Sequence, residues 1–388
     1  MSEIYLVFVV FLFVLAVFDL MVGVSNDAVN FLNSAIGAKV AKFRTIIIVA
    51  TVGVFMGATM SNGMMEVARN GVFHPAMFSL KELMFIFLAV IISDVILLDI
   101  FNNLGLPTST TVSLVFELLG GTTAFVLLKL ANDTTGLTVG DLMNTEKALG
   151  MIMAIFVSVA IAFFFGIVLQ YISRLVFTFT YKKNLKWKIG IFGGVATTAI
   201  FYFMLFKGIK SMSFVTPEIY EYIQNHTLAI LGICFLASTA IMQFLYFLKV
   251  NVFKILVLMG TFALAMAFAG NDLVNFIGVP LAGYSAYTDF AASGASDPST
   301  FMMSSLEGPA KSPMIFLVAA GAVMVFSLAT SKKAHNVIKT SVDLSRQSEG
   351  DEMFGSSKIA RVLVRFSNNT ANFFQDVVPD NVKAWCEK

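Results

Sequence analysis

The sequence predicts an all-α polytopic membrane protein, and three observations carry that prediction. The mean hydropathy of the 388-residue chain is +0.83, with 57% hydrophobic and only 13% charged residues. Soluble domains carry about 25% charge, and a soluble globule of this length must still cover its surface. The apolar residues also come in long blocks, 4–24 and 148–171 among them. Each is close to the roughly 20 residues that cross a bilayer. Finally, lipid offers no hydrogen bonds to the backbone, so an open sheet cannot span it and the blocks must be helices.

Each span follows from this pattern. Apolar segments run over about 4–37 (interrupted), 45–60, 83–101, 107–130, 148–171, 189–206, 228–248, 252–286 (interrupted) and 313–330. The first is not a cleavable leader, because Glu3 stands where a basic region belongs and an Asn-Asp pair follows in place of a small-residue cleavage site. Lys39, Lys42 and Arg44 follow the first span, and Lys182, Lys183, Lys186 and Lys188 follow the fifth. Lys249 and Lys254 follow the seventh, and Lys332, Lys333 and Lys339 the ninth. All four basic loops then share one side, which the positive-inside rule makes cytoplasmic. The amino end is expected outside and the carboxyl end inside, in the cell (cytoplasmic) membrane. Lys207 and Lys210 run against the rule and are partly offset by Glu218 and Glu221.

This organisation divides into a first repeat over 1–130, connecting helices over 131–251, the start of a second, inverted repeat over 252–330, and a cytoplasmic polar segment with an amphipathic helix over 331–388. In the last, Ile359, Val362, Leu363 and Phe366 fall at helical spacing beside Lys358, Arg361 and Arg365, a pattern suited to a membrane surface or to the protein itself. The net charge of +2 suggests no nucleic-acid partner. Cys234 and Cys386 give no disulfide framework. His74, His226 and His335 lie far apart and read as surface residues rather than a shared metal site.

Two segments stand out within the apolar blocks. Ser25-Asn26-Asp27-Ala28-Val29-Asn30-Phe31 and Gly270-Asn271-Asp272-Leu273-Val274-Asn275-Phe276 share the pattern Asn-Asp-x-Val-Asn-Phe. An Asp inside a span costs about 2.5–3.5 kcal/mol on insertion scales, so it should face a cavity or a partner. A single copy is as well explained by a helix cap; a matched pair is not. With the orientation above, the two copies run in opposite directions through the membrane, as in an inverted-repeat secondary transporter, where broken helices meet near the midplane and form the sites. Asn26, Asn30, Asn271 and Asn275 offer amide groups, and Asp27 and Asp272 offer anionic oxygens. Such an oxygen set suits a hard cation such as sodium.

The third feature is Leu104-Gly105-Leu106-Pro107-Thr108-Ser109-Thr110-Thr111. Gly105 can end one helix and Pro107 suits the start of the next. Thr108, Ser109, Thr110 and Thr111 then bring hydroxyls to a helix amino end, where free N–H groups and the positive dipole end lie. That combination fits a tetrahedral oxyanion. Ordinary capping by Ser109 or Thr110 is the simpler explanation when the turn is taken alone.

Together these motifs resemble the inorganic phosphate transporter (PiT) family, in the Asn-Asp-x-x-Asn pair and the Gly-Leu-Pro-x-Ser-Thr-Thr turn. Residues 67–72 (Val-Ala-Arg-Asn-Gly-Val) are a weaker match. The resemblance covers roughly 1–330 and implies cation-coupled phosphate uptake, driven by sodium or protons, without enzyme activity and without a cofactor beyond the coupling ion. It implies a cation on Asn26, Asp27, Asn271 and Asp272, and phosphate on Thr108, Ser109, Thr110, Thr111, Asn30 and Asn275. Val24 and Ala269 stand where the family has glycine, with Gly23 and Gly270 displaced by one, and Val112 stands where it has histidine. No second Pro-x-Ser-Thr-Thr turn follows Asp272. The expectation is therefore a native chain that continues beyond Lys388, or a homodimer that completes the site. Two other functions fit the same residues: transport of another oxyanion such as sulfate, and a membrane anion sensor or scaffold that moves nothing.

Overall fold

The computed structural model describes residues 2–61, 67–132, 136–177, 185–204, 216–308 and 312–344, and beyond these only 361, 362, 364, 365 and 368. The helices are α1 (Ser2–Gly37), α2 (Phe43–Met60), α3 (Leu80–Leu104), α4 (Thr110–Ala131), α5 (Val139–Leu142), α6 (Thr145–Phe177), α7 (Lys188–Phe203), α8 (Pro217–Asn225), α9 (Thr227–Phe247), α10 (Val252–Ser293), α11 (Met314–Thr330) and α12 (Lys332–Leu344). Seven of them, α1, α2, α3, α4, α6, α9 and α10, are long and apolar enough to cross a membrane. The apolar α7 is shorter, and α11 and α12 form a pair bent by 65°. The fold is thus an all-helical, multi-pass membrane protein, and no strand occurs among the described residues.

Local chemistry sets the helix ends near the site. At the start of α3, Ser79 N–H donates to Glu82 Oε2 (2.8 Å) and Glu82 N–H donates to Ser79 Oγ (3.4 Å), a reciprocal cap. At its end Gly105 takes the left-handed conformation with φ 68°, which glycine adopts without a Cβ penalty. Asn251 caps α10 through Lys254 N–H (3.3 Å). Between α2 and α3, Arg69 is buried, donating to Ser285 Oγ (3.2 Å) and to the Ser305 carbonyl (3.0 Å). Burial pushes its guanidinium below the ordinary arginine range, and Asp289 pulls part of the way back.

The breaks expected at the two Asn-Asp motifs do not occur there. Both α1 and α10 run as continuous helices through their motifs, α10 even past Pro280, and the bend falls instead between α11 and α12. Asn102, the backbone of the α3–α4 turn and the threonines heading α4 satisfy Asn26, Asp27 and Asn275, so the backbone need not open to supply partners. At about 1.5 Å per residue, the 42-residue α10 is about 63 Å long and the 36-residue α1 about 54 Å. Both exceed the roughly 30 Å hydrocarbon thickness.

Close packing holds these long helices together. A Cβ on Gly53 would lie 2.6 Å from the Phe262 carbonyl oxygen, and one on Gly57 would overlap the Met266 carbonyl. Small residues let two backbones approach where lipid supplies no hydrophobic drive between helices. Likewise Gly23, just before the first motif, leaves room for the Phe276 ring of the second. Gly57→Ala is expected to push α2 off α10 and cost about 1–3 kcal/mol, read as a lower unfolding temperature of the protein in detergent. An unchanged temperature would mean that α2 shifts freely. By contrast, α6 buries only Ala148 and Phe177, and its Phe163 is 71% exposed. That is the expected state of a helix surrounded by lipid.

Met1–Leu344 form one compact unit and Ser345–Lys388 a second. The compact unit therefore ends later than the change of character after residue 331. Polar as it is, α12 buries Ala334, Val337, Ile338 and Thr340 against the apolar cluster of α1, α2, α10 and α11. In the second unit, Arg361, Val362, Val364, Arg365 and Asn368 are helical and exposed. The rest of the amphipathic segment lies outside the described residues, as do Asp133, Lys182, Lys183, Lys207 and Lys210.

Candidate functional site

The end of α3, the turn after it and the amino end of α4 meet both Asn-Asp motifs. On α1, Asn26 is fully buried, and its Nδ2 donates to Asn102 Oδ1 (2.8 Å) and to the Leu106 carbonyl (3.0 Å). Its Oδ1 accepts from Thr108 N–H (2.8 Å). One amide therefore pins both strands of the α3–α4 turn. Asn102 in turn donates to the Val22 carbonyl (2.7 Å), closing a ring between α1 and α3. Sequence reasoning passed over Asn102. Its only signal was a buried-type position among two asparagines at a helix end.

The next residues of the turn point to the carboxylates. Thr110 Oγ1 donates to Asp27 Oδ2 (3.1 Å), and both residues are buried. Thr111 Oγ1 accepts from Asn275 Nδ2 (2.8 Å), which also lies 3.5 Å from Asp272 Oδ1. Thr110 and Thr111 thus bridge the two motif copies at the amino end of one helix. Ser109 does what the simpler reading of the turn required: its Oγ accepts from Val112 N–H (3.3 Å) as the cap of α4. Thr108 contributes its backbone N–H. Asn30 and Asn271 are exposed and stand apart from this hydrogen-bonded core, whereas Asn275 is inside it.

The charge balance is one-sided. Asp27 and Asp272 are close enough to repel one another, and no Lys or Arg pairs with either among the described residues. Set against them are the first-turn N–H groups that Ser109 does not cap and the positive dipole end of α4, equivalent to about half a charge. The site therefore offers donors to an anion and carboxylates to a cation within the same few residues. Replacing Ser109 by Ala is expected to cost about 0.5–2 kcal/mol of stability, as for loss of a helix cap, with little change in phosphate affinity. Replacing Thr110 by Val, which takes the donor from the buried Asp27 Oδ2, is expected to weaken phosphate binding as well as stability. Equal effects of the two substitutions on phosphate binding, measured by calorimetry, would refute this division of roles.

Other groups missed by sequence reasoning lie deeper in the spans. Asp19 on α1, Asp94 on α3 and Glu117 on α4 face one another, and Ser113 Oγ lies 2.7 Å from Asp94 Oδ1 and 2.9 Å from Glu117 Oε1. Their signal was plain, since a carboxylate inside an apolar span always needs a reason.

No curated protein sequence matches the chain. A solved structure described as "The sodium-dependent phosphate transporter" superposes with a TM-score of 0.62 at 18% identity, covering 88% of this chain and 79% of that one. At that identity the likeness shows a shared fold. Residues 23–341 match the Phosphate transporter family, a stretch that takes in both motif copies and the hydroxyl turn. The chain belongs to that family, as a multi-pass membrane protein that transports phosphate and is not an enzyme.

Proposed function

We propose that the protein is an ion-coupled symporter that carries inorganic phosphate inward across the cell membrane. The observation that supports this most is the bridging of Asp27 and Asn275 by adjacent threonines at the amino end of α4. In this reading phosphate sits on the turn, held by Thr110, Thr111 and the N–H groups around them, while Ser109 caps the helix that presents them. Asn30 and Asn275 flank it, and Thr108 shapes the turn. Asn26 and Asn271 complete the oxygen set around a cation on Asp27 and Asp272.

The coupling follows from charge. Phosphate near neutral pH is a mono- or dianion, and two nearby carboxylates repel it. A cation held between carboxylate and phosphate reverses the sign of that interaction. Each ligand then tightens the other's binding by the same factor, as linkage demands. Sodium suits the carboxylate and amide oxygens, and the structural neighbour is itself described as sodium-dependent. The two motif-bearing halves, running in opposite directions, rock to expose the site to either side in turn. The amino end lies outside and the carboxyl end in the cytoplasm, as the basic loops suggest.

The test is uptake of labelled phosphate by the purified protein in liposomes, with sodium and pH gradients imposed separately. Accumulation driven by an inward sodium gradient is the expected result. Equilibration without accumulation under either gradient would refute coupling. Inhibition by equimolar sulfate would move the substrate assignment to oxyanions in general.

A further inference from the structure

We infer that Asp19, Asp94 and Glu117 form a proton-binding site, distinct from the Asn-Asp motifs, that loads and unloads a proton as phosphate binds and leaves. The inference rests on the transport reading for its role, and on geometry for the site itself.

Three carboxyl groups meet in the interior from three helices. Asp19 and Asp94 are each 1% exposed and Glu117 is half-buried. Asp19 feels the charges of Asp94, Glu117 and Asp27. Its Oδ1 is buried without a hydrogen-bond partner, and so are Asp94 Oδ2 and Glu117 Oε2. These are not groups satisfied by one another. They are buried acceptors with no donor in hydrogen-bond reach among the described residues. Burying even one unpaired ionised carboxylate is so costly that such groups neutralise instead.

Hydrogen counting gives the identity of what neutralises them. Ser113 has one hydroxyl proton, yet its Oγ lies within hydrogen-bond distance of both Asp94 Oδ1 and Glu117 Oε1. Two carboxylates and one hydroxyl cannot make these bonds unless a carboxyl brings a proton of its own. A metal ion is the alternative source of positive charge. The sodium dependence of the variants, measured below, separates the two. The shared contact of Ser113 with two carboxyl oxygens points to a proton as the ligand.

The position of the triad gives it leverage on transport. Asp19 lies eight residues before Asp27 on the same continuous helix, about 12 Å along its axis. On α4, Thr110, Ser113 and Glu117 fall at spacings of three and four, so one polar row runs from the Asp27 contact to the triad. Beyond its own three carboxyl groups, the charged group that faces the triad is Asp27, of the same sign. A proton on the triad removes one negative charge from the surroundings of the phosphate site. Proton and phosphate therefore favour each other's binding.

The test measures phosphate affinity against pH in detergent, at saturating sodium, for the wild type and for Asp94→Asn, Glu117→Gln and Asp19→Asn. One linked proton makes the wild-type affinity fall by up to about ten-fold more per pH unit than that of the variants. The change in phosphate's own ionisation is common to all four proteins and cancels in the comparison. A wild type that takes up no proton beyond that of phosphate itself, read with a pH dye in weakly buffered solution, would overturn the site without any variant having to fold. Profiles that run parallel in wild type and Glu117→Gln would overturn it too. So would variants whose pH profile is unchanged while their sodium dependence is lost, because the triad would then hold a metal cation. Binding does not require transport. A wild type that shows the linked proton but accumulates no phosphate in liposomes would sustain this site and sink the symport reading.

Discussion

Asp27→Asn and Asp272→Asn are each expected to reduce ion-driven phosphate uptake by about ten- to hundred-fold. The substitution keeps the size of the side chain. It removes the charge that holds the coupling cation, and a charge-assisted contact of this kind contributes about 1.5–3 kcal/mol. At position 27 the bond from Thr110 Oγ1 (3.1 Å) can persist, because an amide oxygen still accepts. Insertion and folding should therefore survive, which separates this result from simple loss of protein. The measurement is initial uptake in liposomes at matched protein content. Near wild-type uptake by both variants would remove the acidic pair from the mechanism. The two variants should also behave alike, although only Asp27 accepts a threonine hydroxyl. A large effect at one position and none at the other would mean that a single motif carries the ion.

Asn26→Asp is expected to be the most destabilising of the isosteric substitutions in the site. Asn26 donates to Asn102 Oδ1 and to the Leu106 carbonyl, and an ionised carboxylate can do neither. Asn102 cannot compensate by turning its amide, because its own Nδ2 is engaged by the Val22 carbonyl. Two buried acceptors are left facing a third. At about 1–3 kcal/mol for each unsatisfied group, the loss is about 2–6 kcal/mol. The accompanying loss of phosphate binding would come from the turn, since Thr108 and Leu106 are both held by this one side chain. Asn30→Asp is the control: Asn30 is exposed, and its change should stay within about 0.5 kcal/mol. Thermal unfolding in detergent distinguishes the two. Equal stability would show that Asn26 is not a required donor.

The helical, membrane-spanning class is legible in the sequence, because hydropathy and the length of an apolar run are local properties that lipid reads directly. So is the place where α3 stops, since glycine at 105 suits the left-handed turn that ends a helix. The paired Asn-Asp motifs and the hydroxyl turn were legible for the same reason: polar residues within apolar runs must be answered by something. What answers them was not legible. Asp27 meets Thr110 across 83 residues, and Asn275 meets Thr111 across 164. Only the packing of α1 and α10 around the head of α4 brings them together. The continuity of α1 and α10 belongs to tertiary structure as well. A polar motif in a span can be satisfied by unwinding the helix or by donors from neighbouring helices, and the sequence is the same in both cases. Here Asn102, Thr108 and Leu106 supply the partners, so the helix stays intact. The same holds for Asp19, Asp94 and Glu117, which come from three different spans. Only the juxtaposition of three helices makes them one site, because the energy of a buried charge depends on what surrounds it and not on its place in the chain.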